Sequence, residues 1–129
     1  MRGTAAELLA QYLLHEKGYD VADVVRSSAA QDLVIRLPGA AMWQGANVKR
    51  AYRKADGFLT VNTEHRDGSK YRADEIDYIL AVLPPTESPA YWADIWLIPF
   101  AALVHAAGPL KGHARGRIRL TDKWEKYKI

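Results

Sequence analysis

One run constrains this chain more than any other: Ile76-Asp77-Tyr78-Ile79-Leu80-Ala81-Val82-Leu83. A short segment that is apolar at almost every position has no face to offer to water. It reads as a central strand covered on both sides, so the fold must supply a layer above it and a layer below it. The rest of the chain provides suitable partners. Thr4 caps a helix, with Glu7 completing a capping box, and Leu8, Leu9, Tyr12 and Leu13 follow at helical spacing. Gly18 ends that helix. Strands are expected over Val21–Arg26, Gln31–Leu37, Gln44–Tyr52, Phe58–Asn62 and Tyr91–Pro99, with a last short one around Ile118 and Leu120. Phe100–Ala107 reads as a short helix stopped by Gly108-Pro109. Helix, several strands and helix, with no internal repeat or linker-like stretch, predict a single α/β domain spanning residues 1–129.

Composition sets the outer limits. At 129 residues and 49% hydrophobic, the chain can bury a core without covalent staples. It has no cysteine, which excludes disulfides and thiolate metal sites and fits a reducing compartment. No apolar run is as long as a membrane span, and the first residues lack a signal-peptide core, so a soluble, cytoplasmic protein is expected. The net charge is only +3 but is unevenly spread. Beyond Gly108, Lys111, Arg115, Arg117, Arg119, Lys123, Lys126 and Lys128 face only Asp122 and Glu125. Lys49, Arg50, Arg53 and Lys54 form a second basic run. Such clusters mark a polyanion binder, or simply a solvated surface.

The segments around Asp32 and Lys49 carry chemistry. Gln31–Leu37 and Gly45–Arg50 flank a Pro38-Gly39 turn. If they pair as a hairpin, Asp32 and Lys49 point the same way, and on strict alternation Asn47 shares a face with Lys49. A carboxylate that holds a metal beside an ammonium that positions water suits phosphodiester hydrolysis. The dull readings are a capping-box Glu7, a strand-opening Asp32, and Asn47 and Lys49 as surface strand residues. The loop 65–72 contains Arg66, Lys70 and Arg72, able to contact phosphates. Ser28 precedes the Asp32 strand and is either a turn former or a phosphate contact. Asp77 reads as a structural hydrogen-bonding residue. The four histidines have no zinc-like spacing, and His65 beside Arg66 is the one placed to meet substrate. The tryptophans read as core residues, with Trp43 core or interface.

Taken in order, Ala5–Leu13, Lys17-Gly18-Tyr19-Asp20-Val21, Asp32-Leu33-Val34, Asn47-Val48-Lys49, Ile76-Asp77-Tyr78 and Leu97-Ile98-Pro99 resemble the PD-(D/E)XK nuclease superfamily. The nearest likeness is to the small homing-type endonucleases of phages and group I introns. Archaeal Holliday junction resolvases share the opening helix and the Gly-Tyr-x-Val strand. The resemblance implies a restriction-endonuclease-like mixed β-sheet flanked by helices. It implies a site-specific DNA endonuclease using Mg2+, with Mn2+ able to substitute. It makes Glu7, Asp32 and Asn47 the metal-binding and catalytic set, with Lys49 as the catalytic lysine. Asn47 stands where the family has Glu, Asp or, in the intron-associated branch, Gln. An amide oxygen can ligate Mg2+ but brings no charge. DNA contacts are expected from Ser28, Arg50, Arg53, Lys54, Arg66, Lys70, Arg72, Arg115, Arg117 and Arg119. One small domain holds one site, so a double-strand cut implies a homodimer or higher assembly. The substrate is duplex or branched DNA, and the protein acts in the cytoplasm, that of a host cell if phage-encoded. Three alternatives stay open: a junction resolvase, a non-catalytic DNA-binding module that keeps the nuclease fold, and a protein-interaction or structural domain.

Overall fold

In a computed structural model, residues 4–24, 30–85, 93–108 and 110–129 are described. The elements in chain order are α1 (Thr4–Glu16), β1 (Asp20–Asp23), β2 (Leu33–Arg36), β3 (Gln44–Arg50), β4 (Tyr52–Arg53), β5 (Leu59–Asn62), β6 (Tyr78–Leu83), β7 (Asp94–Pro99), α2 (Phe100–Ala107) and β8 (Arg117–Arg119). A 3-10 helix over Asp122–Tyr127 closes the chain. Strands β1-β2-β3-β6-β7 form a five-stranded sheet, and β4-β5-β8 form a three-stranded one. The large sheet is mixed. β3 and β6 run parallel, whereas the β1–β2, β2–β3 and β6–β7 pairs are antiparallel.

The apolar run lies where its composition requires. Ile79, Leu80, Ala81, Val82 and Leu83 of β6 are all buried, and their side chains alternate between two cores. Leu80 and Val82 meet Leu33 and Ile35 of β2, Ala46 of β3, Ile95 and Leu97 of β7, and Ala10 and Leu14 of α1. Ile79, Ala81 and Leu83 face the other way, toward Val61 of β5, Phe100 and Leu103 of α2, Leu120 and Trp124. Thus α1 covers one face of the large sheet, while α2, the small sheet and the 3-10 helix cover the other.

Four local readings change. The buried stripe of α1 is Ala10 and Leu14 flanked by Leu9 and Leu13, while Leu8 and Tyr12 are exposed. The 3.6-residue period is right, but which pair of apolar positions faces inward is set by the sheet. The expected third strand, Gln44–Tyr52, divides at Ala51. The Ala51 amide still donates to the Val82 carbonyl at 2.8 Å, and beyond it the chain leaves the large sheet so that Tyr52 pairs with Thr60. Fully buried Ala51 is the corner where one strand feeds two sheets. The terminal 3-10 helix has no strong periodic signal and is held by Trp124, buried in the second core. Trp43 is 44% exposed, with the Arg36 guanidinium 5.0 Å from its ring centroid, so it is not a core residue. The Thr4 capping side chain, Arg26, Ser28 and Trp92 lie outside the described residues.

Asp77 takes the structural role expected of it. Its carboxylate accepts from the Gly45 amide at 2.8 Å, and its own amide donates to the Gly45 carbonyl at 2.9 Å. The Gln31 side chain lies directly over Gly45, where a Cβ would come within 2.3 Å of it and force it aside. The three segments that lead into β2, β3 and β6 are thereby fixed to one another.

Candidate active site

The β2–β3 hairpin forms as expected, with Leu33 opposite Ala46 and Ile35 opposite Gln44. That register puts Asp32 across from Asn47, with Lys49 two residues further along β3. Leu33, Ile35 and Ala46 face α1, so Asp32, Asn47 and Lys49 belong to the opposite face. Asp32 and Asn47 are 7% and 8% exposed, and among the described residues they share the buried polar class only with Thr60 and Thr63. Asp32 accepts from the Val48 amide through Oδ2 at 2.8 Å, which anchors its carboxylate against β3.

Asn47 donates through Nδ2 to the Ala30 carbonyl at 2.6 Å. Its Oδ1 is buried without a hydrogen-bond partner among the described residues. An orphaned buried carbonyl oxygen costs about 1–3 kcal/mol, so its retention calls for a reason. Trp96 Nε1 is likewise without a partner, but it lies in the apolar second core rather than beside a carboxylate.

Lys49 is half-buried. Its Nζ donates to the Glu64 carbonyl at 2.9 Å and lies 5.4 Å from the Tyr71 ring centroid. Burial pulls its pKa below the usual 10.5. The Asp32 charge pulls it back up, Arg66 pushes it further down, and Glu64 opposes that. The lysine is therefore electrically coupled to Asp32 and also to the loop above it.

Tyr71, which the sequence places with Arg72 in a polar loop able to hold phosphates or simply exposed, is instead buried beside the strand residues. It is 3% exposed, and its ring contacts His65 at a centroid distance of 4.0 Å and meets Phe100 edge-on at 6.3 Å. Burial, then the Asp32 and Glu75 charges, push its hydroxyl well above the ordinary 10.0, while a hydrogen bond from Asn47 works the other way. Tyr71 thus touches Asn47 and underlies Lys49, which fixes both. The available signal was an aromatic residue inside an otherwise polar loop. His65 is held in turn by Glu75, with Nε2 and Oε2 3.2 Å apart.

Glu7 occupies the first turn of α1, half-buried at the head of the stripe that continues through Ala10 and Leu14. Gln11, one turn later, donates to Asp23 at 2.8 Å, and Asp23 pairs with Leu33. The first turn of α1 therefore sits at the Asp32 end of the sheet, on the face opposite Asn47 and Lys49. No group of three or more His, Cys, Asp or Glu side chains among the described residues is arranged to hold a metal ion. A metal at this site would have to use the Asn47 amide oxygen beside Asp32. The donor chemistry fits: both are hard oxygen ligands, and Asn47 Oδ1 is buried without another partner.

The expected DNA contacts fall in two places. Arg66, Lys70 and Arg72 lie on the exposed loop over Lys49, where Lys70 pairs with Glu64 at 2.8 Å and Arg72 with Asp74 at 3.1 Å. Arg53, Arg117 and Arg119 belong to the small sheet, with Lys54 and Arg115 close by in sequence; Arg50 is exposed at the end of β3. Ser28 lies outside the described residues.

No protein-family model matches the chain, and no curated protein matches it. Among solved structures it is similar to that of a bacterial homing endonuclease, I-Ssp6803I, at 18% identity and a TM-score of 0.69. The match covers 98% of this chain and 86% of the other. At that identity the likeness establishes the fold: this mixed α/β architecture is shared with a homing endonuclease. No helix among the described residues is long and apolar enough to cross a membrane.

Proposed function

We propose that this protein is a metal-dependent DNA endonuclease of the PD-(D/E)XK type, acting at specific sites in the manner of a homing enzyme. The observation that carries the reading is the buried facing pair Asp32 and Asn47 with half-buried Lys49 on the same strand face, beside Tyr71 and under a loop that brings Glu64 and Arg66 close. Stability alone gives no reason to keep a carboxylate, an orphaned amide oxygen and an ammonium there.

Asp32 and Asn47 would hold Mg2+ or Mn2+; Glu7, on the α1 side of the sheet, would have to join them around its Asp32 end. The ion would polarise the scissile phosphate and acidify a bound water. The chain's own residues do the rest. Lys49 spends one N–H bond on the Glu64 carbonyl and keeps two for water and a phosphate oxygen. Its charge offsets the charge gathering on the phosphate in the transition state. Tyr71, with its ring beside the Lys49 ammonium and its hydroxyl hydrogen-bonded with Asn47, holds both in register. Arg66 and the basic residues of the small sheet supply phosphate affinity, so binding should weaken steeply with salt. A cut in both strands needs a second subunit related by a two-fold axis.

Asn47 favours a second reading, a DNA-binding module that has kept the fold and lost cleavage, because the amide leaves Asp32 with less negative charge around it than an acidic residue would. The test is a substrate panel of supercoiled plasmid, linear duplex and four-way junction, with and without Mg2+, for the parent and Asp32→Ala. Discrete Mg2+-dependent products absent in the variant support the nuclease, and the preferred substrate separates homing enzyme from resolvase. Salt-sensitive binding without cleavage would instead support the module.

A further inference from the structure

The small sheet has an outer face whose pattern the catalytic reading does not use. Val61 and Leu59 of β5 and Ile118 of β8 pack into the second core. Their neighbours along each strand point away from it. Asn62 stands directly opposite Arg117, both exposed, and Thr60 opposite Arg119, although Thr60 itself is 1% exposed and so is covered rather than open on this face. Phe58 shares this parity. It is 44% exposed and lies under the Arg119 guanidinium, which is 4.6 Å from its ring centroid and 3.5 Å from Asp56. On the other side of Thr60 is Tyr52. From Ala114 to Leu120 burial alternates strictly, with Arg115, Arg117 and Arg119 outward.

The face is therefore a short twisted ribbon that carries an exposed amide between arginines. Arg119 is pre-positioned by Phe58 and Asp56. Arg115 and Arg117 make no ion pair among the described residues. A cationic β-ribbon is a shape that the major groove admits. There an Asn reads adenine and an Arg reads guanine through paired hydrogen bonds to the base edge. The ribbon is also joined to the candidate active site. Thr63, next after Asn62, donates from its amide to the Gly116 carbonyl at 3.0 Å and from its hydroxyl to the Arg115 carbonyl. Glu64, one residue later, accepts from Lys49. Two residues of extended chain, about 7 Å, separate the amide of the ribbon from the residue that holds the lysine.

We infer that the outer face of the three-stranded sheet is the sequence-reading surface for duplex DNA, with Asn62 and Arg117 contacting base edges and Arg115 and Arg119 the flanking phosphates. This rests on the endonuclease reading and adds to it the residues that set specificity. Binding energy and cleavage chemistry are thereby divided between the two sheets, joined at Thr63–Glu64.

The test is selection from a pool of short duplexes with a randomised centre, without divalent cation, for the parent, Asn62→Ala and Arg117→Ala. Both sites are exposed, and unchanged melting curves would confirm that the variants fold. The parent is expected to enrich one sequence. Asn62→Ala should lose preference at one base pair by about tenfold or more while its affinity for the unselected pool stays within about twofold. Arg117→Ala should lose preference at an adjacent pair and some affinity as well. Variants that enrich the same sequence as the parent overturn the assignment, as does a parent that binds the pool but enriches nothing. A parent that binds no duplex overturns the endonuclease reading itself.

Discussion

The two faces of the β2–β3 hairpin are built from alternate residues of the same two strands, and they obey different rules. On the face toward α1, Leu33, Ile35 and Ala46 are wholly buried against Ala10, Leu14, Leu80 and Val82, with no polar group to satisfy. On the other face stand Asp32 and Asn47, nearly as buried but polar, and Lys49, half-buried and charged. The first face follows the hydrophobic effect alone. The second holds groups that cost stability, one of them an unsatisfied amide oxygen. A one-residue step along the chain thus separates what folds the protein from what is proposed to do its work.

Substitutions at adjacent positions test that division most sharply. Asp32→Ala is expected to lower single-turnover cleavage by roughly 100- to 1000-fold, the scale seen when one transition-state-stabilising group is lost, with the far-UV spectrum unchanged. Leu33→Ala should do the reverse. It opens a cavity in the α1-side core and costs about 2–5 kcal/mol in denaturant unfolding, while cleavage by the folded fraction stays near that of the parent. If both variants lose stability equally and neither loses chemistry, the two faces are not functionally distinct.

Asn47→Leu sharpens the comparison by making the polar face resemble the apolar one. It removes the orphaned oxygen but also the hydrogen bond to the Ala30 carbonyl, two effects of similar size and opposite sign. Stability should therefore move by less than about 1 kcal/mol in thermal melts, while Mg2+-dependent cleavage is lost.

The smallest effect is a pH dependence. Burial raises the Tyr71 hydroxyl above its ordinary value of 10.0, so the folded state disfavours the phenolate. Its stabilising contribution is complete below pH 10 and is lost as pH rises from there through the folded value. Lys49 has the opposite sign: its ammonium is disfavoured by burial, and that penalty is relieved as pH climbs toward 10.5. Comparing the parent with Tyr71→Phe isolates the tyrosine, and the variant should lose less stability above pH 10. Identical alkaline unfolding curves would contradict the described burial.

Much of this was legible in the residues. The apolar run at β6, the Pro38-Gly39 hairpin and the shared face of Asp32 and Lys49 follow from period-two alternation, which is a local property. The division at Ala51 was not legible, because nothing in Gln44–Tyr52 says where the partner strand changes; Val82, distant in sequence, holds Ala51 to the large sheet, while nearby Thr60 takes Tyr52 into the small one. Tyr71 was hidden for the same reason. Its loop reads as polar, and its role exists only once β3 places Asn47 and Lys49 beside it. Leu8 and Tyr12 show the converse limit: periodicity identifies a helix, but the sheet decides which apolar residues that helix buries.

The most direct test of the central claim, that the polar face of this hairpin is a catalytic centre, is the Mg2+-dependent cleavage rate of Lys49→Ala against the parent on the substrate the parent prefers. The account predicts a folded variant that still binds that DNA, at comparable salt sensitivity, and cleaves it at least about 100-fold more slowly. A variant that cleaves at the parent's rate would place the chemistry elsewhere in the molecule.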